Sequence, residues 1–145
     1  MKKCTIIFLV LILLSGLSGC ATSGAKFSEI ASSLSTPGSS EGRIYIYRTA
    51  LFGAAVQPAV KLNGQVIGSA VPNGFFYVDL PAGDYTIETS TEVNRKLSLV
   101  LEPGQVRYVR LNISMGFFVG HVYPELVDTD TGKKEIQSCR YIGEK

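Results

Sequence analysis

Few residues in this chain combine type and spacing in a way that could do chemistry, and the clearest of them is a thiol. Leu17-Ser18-Gly19-Cys20 closes an apolar run that begins just after Lys2-Lys3. Two lysines, an apolar stretch from Ile6 to Leu14 and small residues ahead of a cysteine are the parts of a secretory signal whose cleavage exposes that cysteine. The chemistry is S-alkylation: the Cys20 sulfur joins a diacylglycerol as a thioether. A retained transmembrane helix would need about 20 apolar residues to cross roughly 30 Å of hydrocarbon, and the run from Thr5 to Leu17 offers about 13, or roughly 20 Å of helix. Residues 1–19 are therefore read as a cleaved signal and Cys20 as the lipid-attachment residue. The competing readings are a cysteine that merely ends an apolar segment and ordinary signal cleavage a little further on.

The remaining reactive side chains do not assemble in sequence. His121 is the single histidine, so a nucleophile-base arrangement would have to combine it with a hydroxyl and a carboxylate at unknown separation, and no Gly-x-Ser-x-Gly turn marks a nucleophile. One histidine with one distant cysteine cannot supply the usual zinc set. Asp128-Thr129-Asp130-Thr131-Gly132 has alternating carboxylates ahead of a glycine, as a calcium loop does. It lacks a ligand at the fifth position, and Glu135 comes too early to close the loop, so a turn with a glycine at positive φ is expected. Asp79 with Asp84, and Glu88 with Glu92, are near neighbours of the kind that could serve glycoside hydrolysis only inside a shared cleft. No catalytic, metal-binding or cofactor-binding residue is expected. Cys4 leaves with the signal and Cys20 is consumed by lipid, so Cys139 stays as a lone thiol, read as a small buried strand residue.

Two aromatic groups stand out. In Phe75-Phe76-Tyr77, neighbours in a strand must point to opposite faces. Gly116-Phe117-Phe118-Val119-Gly120 is an apolar tip between glycines. Either a bulge turns the rings inward, or one ring covers a sheet edge, or one is exposed for docking, and Phe117, Phe118 and Val119 are carried as the candidate docking patch.

These residues must be positioned by the segment that follows the signal. The precursor has 14 Lys and Arg against 12 Asp and Glu; without Lys2 and Lys3 the balance is 12 against 12. A neutral domain gives no basis for a nucleic-acid partner. About 126 residues remain, enough for one domain. Residues 20–42 are rich in Ser, Gly, Ala and Thr and read as a lipidated flexible tether, with a short helix near 26–35 suggested by Phe27, Ile30 and Leu34. From Arg43 to the end at 145 the pattern changes to period two with Gly, Pro and Asn punctuation. Asn63-Gly64 predicts a hairpin, because both central residues need positive φ. Pro81-Ala82-Gly83 predicts a second hairpin and Pro103-Gly104 a third. A last pair, Val119–Val127 with Lys134–Arg140, is expected across Asp130-Thr131-Gly132. The fold class is all-β: an antiparallel β-sandwich of about eight short strands, transthyretin- or immunoglobulin-like, without a helix inside the domain, or alternatively a small β-barrel.

Gly42-Arg43-Ile44-Tyr45-Ile46-Tyr47-Arg48, then Val60-Lys61-Leu62-Asn63-Gly64-Gln65-Val66-Ile67-Gly68, then Leu80-Pro81-Ala82-Gly83-Asp84-Tyr85 follow one another at characteristic spacings. Over roughly Gly42 to Arg140 the chain resembles a bacterial lipoprotein family of unknown function, the one numbered 2846. The same order of motifs is shared by small sandwich repeats of surface-layer and carboxypeptidase-associated domains. The resemblance implies a lipid-anchored or secreted β-sandwich with no established activity and no catalytic residues to transfer; Phe117-Phe118-Val119 has no evident counterpart in it. Resemblance to bacterial lipoproteins extends to sorting, since Ala21 and Thr22 stand where an aspartate would hold a Gram-negative lipoprotein at the inner membrane. The expectation is a non-enzymatic binding or structural module of the cell envelope, on the periplasmic face of the outer membrane if the organism is Gram-negative. It would be held to the membrane by lipid on Cys20 and would face an envelope protein or cell-wall partner. The alternatives are an enzyme acting on envelope glycans or peptides through carboxylates, and a carrier of a small apolar ligand, which needs an interior apolar cavity.

Overall fold

A computed structural model describes residues 24–117 and 120–143. A short helix, α1 (Phe27–Ile30), runs into a 3-10 turn (Ala31–Ser33). Eight strands follow: β1 (Glu41–Arg48), β2 (Ala59–Leu62), β3 (Gln65–Ser69), β4 (Gly74–Pro81), β5 (Gly83–Ser90), β6 (Asn94–Leu101), β7 (Val106–Ser114) and β8 (His121–Val127). A second helix, α2 (Thr129–Glu135), a 3-10 turn (Ile136–Ser138) and a two-residue strand, β9 (Arg140–Tyr141), complete the described chain. The strands form two sheets, one in the order β8-β7-β1-β4-β9 and the other in the order β3-β2-β5-β6. They stay separate, as a sandwich, and the barrel alternative falls away.

The sandwich differs from a purely antiparallel one. β1 runs parallel to β7, and β4 parallel to β9. Alternation explains the inter-sheet core: Ile44 and Ile46 of β1, Phe76 of β4, and Val109 and Leu111 of β7 meet Val60, Leu62, Ile87, Leu99 and Leu101 from the other sheet. The opposite face of the five-stranded sheet is also apolar. There Tyr45, Tyr47, Phe75 and Tyr108 form a second cluster with Phe27, Ile136 and Cys139, packed further by Ile30 and Leu34. The ring of Phe27 stands edge-on to Tyr45 and to Phe75 at 5.3 Å, and Tyr45 stacks on Tyr108. Such pairs are each worth about 1 kcal/mol beyond the area they bury.

This second cluster settles Phe75-Phe76-Tyr77. No bulge or exposed ring is needed, because both faces of β4 are covered: Phe76 points between the sheets, and Phe75 and Tyr77 point to the outer cluster. It also explains residues 24–42, whose composition reads as a coil. Phe27 N donates to Cys139 O at 2.9 Å, Tyr141 N donates to Ala25 O at 2.9 Å, and Phe27 is buried. An aromatic sheet face left open to water would be unfavourable, so this stretch docks on it from Gly24 onward. The short helix expected near 26–35 is α1 with its 3-10 extension.

The turn at Asn63-Gly64 takes φ of 48° and 85°, and β2 pairs with β3 around it. The other turns differ from expectation. β4 and β5, on either side of Pro81-Ala82-Gly83, lie in different sheets, as do β6 and β7 on either side of Pro103-Gly104. These turns are corners between sheets, not hairpins. Proline and glycine mark where the chain reverses, but the reversed strand shows the same alternation whether it pairs with its neighbour or crosses to the facing layer. The hairpins are instead β5 with β6, closing at Ser90 and Asn94, and β7 with β8, closing at Ser114 and His121.

The expected last strand pair is absent, and residues 129–138 are helical. Asp128 caps α2 by accepting the Thr131 N–H at 2.9 Å, with Asp130 in the first turn and Lys133 and Lys134 in the last. This N-cap holds the Asp128 carboxyl below its usual range. Gly132 is helical and carries no positive φ. Neither the calcium loop nor the simple turn is what these residues build.

Candidate functional site

Strand directions gather four connections at one end of the sandwich. β1 ends at Arg48 opposite the start of β4 at Gly74, and the parallel β7 ends on the same side. Val60 near the start of β2 pairs with Thr89 near the end of β5, and Ala59 pairs with Ser69 at the end of β3. Loops 49–58, 70–73 and 91–93 and the described residues of the loop 115–120 therefore share one end. In sequence these loops carry a single ionisable side chain, Glu92.

Most of the large exposed apolar side chains sit on these loops: Leu51 is 70% exposed, Phe52 66%, Met115 84% and Phe117 90%, with Val93 beside them. Phe117 of the expected docking patch is thus exposed, while Phe118 and Val119 lie outside the described residues, as does Cys20. Leu51, Phe52, Val93 and Met115 were missed by sequence reasoning. A signal existed, since Ala50-Leu51-Phe52-Gly53-Ala54-Ala55 is an uncharged run in a stretch too irregular to be a strand.

The loops are held from beneath. Arg48, at the inner-face end of β1, is fully buried. Its Nη1 donates to Val56 O at 2.7 Å and Ala70 O at 2.8 Å, and its Nη2 donates to Phe52 O at 2.9 Å and Gly53 O at 3.0 Å. Burial lowers its pKa. The backbone around Phe52 is therefore fixed by a guanidinium inside the domain while the ring projects outward. On the neighbouring loops, His121 Nδ1 lies 3.3 Å from Thr91 Oγ1 and Nε2 lies 3.5 Å from Glu92 Oε2, and Phe117 N donates to Glu92 at 3.3 Å. A hydroxyl, an imidazole and a carboxylate are thus brought together here. What they do geometrically is join the β5–β6 loop to the β7–β8 loop.

Other charged side chains secure the outer face of the five-stranded sheet. Arg43 forms a bidentate pair with Asp79, both contacts at 2.6 Å, donates to Ser35 O at 2.6 Å and stacks on Tyr77 with 4.1 Å to the ring centre. Arg110 bridges Glu135 at 2.6 Å and Glu125 at 2.7 Å, Asn112 donates to Glu125, and Tyr47 donates to the other oxygen of Glu135 at 2.7 Å. The hydrogen bond from Arg110 keeps the Glu125 carboxyl below its usual range, whereas burial, followed by the bond to Glu135, pushes the Tyr47 phenol up. Of the acids with possible hydrolytic spacing, Asp79 is tied to Arg43 and Glu88 to Lys96 at 3.3 Å. The outward-facing cleft lined by Val66, Gly68, Phe76, Tyr141 and Ile142 has a volume of about 410 Å³.

Cys139 is fully buried just ahead of β9, with Sγ 3.9 Å from Arg48 O. Burial, and then the Glu135 charge, push its thiol up to about 12. Thiolate is the reactive form, so native protein at neutral pH should resist iodoacetamide at Cys139 and become alkylated there only after denaturation. Peptide mass mapping checks this, and rapid native alkylation would contradict it.

With this geometry in place, comparison with known proteins adds the lineage. A family model described as "Protein of unknown function (DUF2846)" matches residues 38–122, more than half of the chain. The chain belongs to the DUF2846 family. The DUF2846 region runs from just ahead of β1 to the first residues of β8, so β1 to β7 fall within it, while most of β8, and α2 and β9, which help cover the outer aromatic face, lie beyond it. A curated relative from Haemophilus influenzae (strain ATCC 51907 / DSM 11121 / KW20 / Rd), described as "Uncharacterized protein", is 32% identical over 124 residues, covering 83% of this chain and 74% of the relative. No solved structure matches the chain significantly.

Proposed function

We propose that this DUF2846 protein is a lipid-anchored module of the cell envelope that works by binding rather than by catalysis. The observation that carries the reading is the run from Lys2-Lys3 to Leu17-Ser18-Gly19-Cys20, which supplies a basic start, a short apolar segment and an alkylatable thiol in the order a lipoprotein signal needs. Two or three acyl chains on Cys20 would anchor a domain of this size stably, at about 0.8 kcal/mol per buried methylene. In an organism with two membranes, Ala21 and Thr22 direct it to the outer one. The sparsely charged end bearing Leu51, Phe52, Met115 and Phe117 is the surface such a module offers for contact. An enzyme working through Asp79, Glu125 or Glu135 would first have to release them from Arg43 or Arg110.

Metabolic labelling with an alkyne fatty acid tests the anchor. Wild-type protein is expected to carry the label and to sediment with membranes, and Cys20→Ala to lose both. An unlabelled wild type would overturn the reading.

A further inference from the structure

The place where the chain enters the domain bears on what its apolar end touches. Arg140 pairs with Gly74 and Tyr141 with Phe75, at the start of β4. Arg140 Nη1 donates to Gly24 O at 2.9 Å and Tyr141 N to Ala25 O, so Gly24 lies level with the first residues of β4. That is the end bearing the four apolar loops. The opposite end of β4, at Pro81, is on the order of 20 Å further along at about 3.3 Å per residue. Cys20 lies four residues ahead of Gly24, a reach of at most about 14 Å at full extension.

An acyl group on Cys20 would therefore hold the loop end nearer the bilayer than the Glu41 and Pro81 end. The loops suit such a neighbour. They carry one ionisable side chain among them, and their projecting tips are Leu51, Phe52, Met115 and Phe117. Exposed basic side chains flank them: Lys26 stands next to β9, and Arg95 pairs with Thr89 beside the 91–93 loop. Apolar tips with cations behind them match the layering of a membrane interface, where apolar groups reach the acyl boundary and cations meet phosphate. We infer that this end of the sandwich seats on the lipid bilayer, with Leu51, Phe52, Met115 and Phe117 in its interfacial layer. The inference rests on the reading of Cys20 as the anchored residue.

The test uses the full chain purified from membranes and reconstituted into vesicles of phosphatidylethanolamine and phosphatidylglycerol. An environment-sensitive fluorophore is attached at Phe52→Cys, at Met115→Cys, or at Val66→Cys on the β2–β3 hairpin at the opposite end; buried Cys139 stays unlabelled. The expected result is blue-shifted emission at 52 and 115, quenched by spin-labelled lipid, with neither change at 66. Water-exposed emission at all three positions overturns the inference, as does quenching at 66 alone. A blue shift at 52 and 115 without lipid quenching also overturns it, because the end is then covered by a second copy of the protein. The mass of the N-terminal peptide from the same sample reports acylation separately. An acylated chain with water-exposed labels keeps the anchor and sinks the bilayer contact; an unacylated chain, relabelled as the Cys20→Ser variant so that the probe sits at 52 or 115 alone, keeps the contact and sinks the anchor if quenched there, and sinks both if not.

Discussion

Arg48→Met is expected to lower the unfolding free energy by about 4 kcal/mol, read as a shift of the urea midpoint at unchanged slope. All four terminal N–H groups of the guanidinium are spent on backbone carbonyls, those of Phe52, Gly53, Val56 and Ala70. A methionine fills similar volume and removes a desolvated charge, which by itself would be favourable. The carbonyls cannot be exchanged for apolar groups, however, and the buried ones would be left unpaired at about 1–3 kcal/mol each. The orphaned acceptors therefore outweigh the relieved charge. Arg48→Lys is expected to lose about half as much, because an ammonium keeps the charge but lacks the planar fork that reaches four acceptors. A methionine variant as stable as wild type would show that the loop finds other partners.

Gly132→Ala should destabilise by about 2–3 kcal/mol, a sign opposite to helix propensity, which favours alanine by about 1 kcal/mol in an exposed helix. A methyl group on Gly132 would stand far inside van der Waals contact distance of Tyr108 Cγ and Cβ, so α2 would have to lift off β7. With α2 go the Glu135 bonds to Arg110 and Tyr47 and the burial of Ile136 against the aromatic cluster. Thermal denaturation followed by near-ultraviolet circular dichroism reads both the stability and the tyrosine environment. A stabilised Gly132→Ala would refute the close packing of α2 on Tyr108.

Gly132 also shows where reading the sequence falls short. Asp128, Asp130, Lys133 and Lys134 are the cap and end charges of a helix and were available in sequence. Thr129, Thr131 and Gly132 argue locally for a turn, and the helix forms because its glycine allows a close approach to Tyr108 while Ile136 is buried. Residues 24–42 are legible only in part for the same reason: Phe27, Ile30 and Leu34 mark the short helix, while the rest reads as a tether. Their own composition buries little, but Phe27 gains a pocket among Tyr45 and Phe75 that exists only once the five-stranded sheet has formed. The corners at Pro81-Ala82-Gly83 and Pro103-Gly104 were located as reversals; which sheet received the next strand was set by pairing partners far away in the chain.

The candidate site divides in a similar way. Phe117 was found as an apolar tip between glycines, whereas its company of Leu51, Phe52, Val93 and Met115 comes from three connections as much as 66 residues apart, from 51 to 117. Nothing local to Arg48 marks its role, since alternation along β1 puts it on the face of Ile44 and Ile46 but says nothing of carbonyls arriving from 52–56 and 70.

The all-β class, the Asn63-Gly64 hairpin and the signal-like run to Cys20 are set locally, because each depends on side-chain periodicity, backbone φ preference or hydrophobic length within a few residues. The second aromatic layer, the helix at 129–135, the ion pairs that bind the acids and the sparsely charged loop end arise on packing. These depend on which faces are left uncovered when two sheets meet, and the free energy that settles them comes from burying groups distant in the chain.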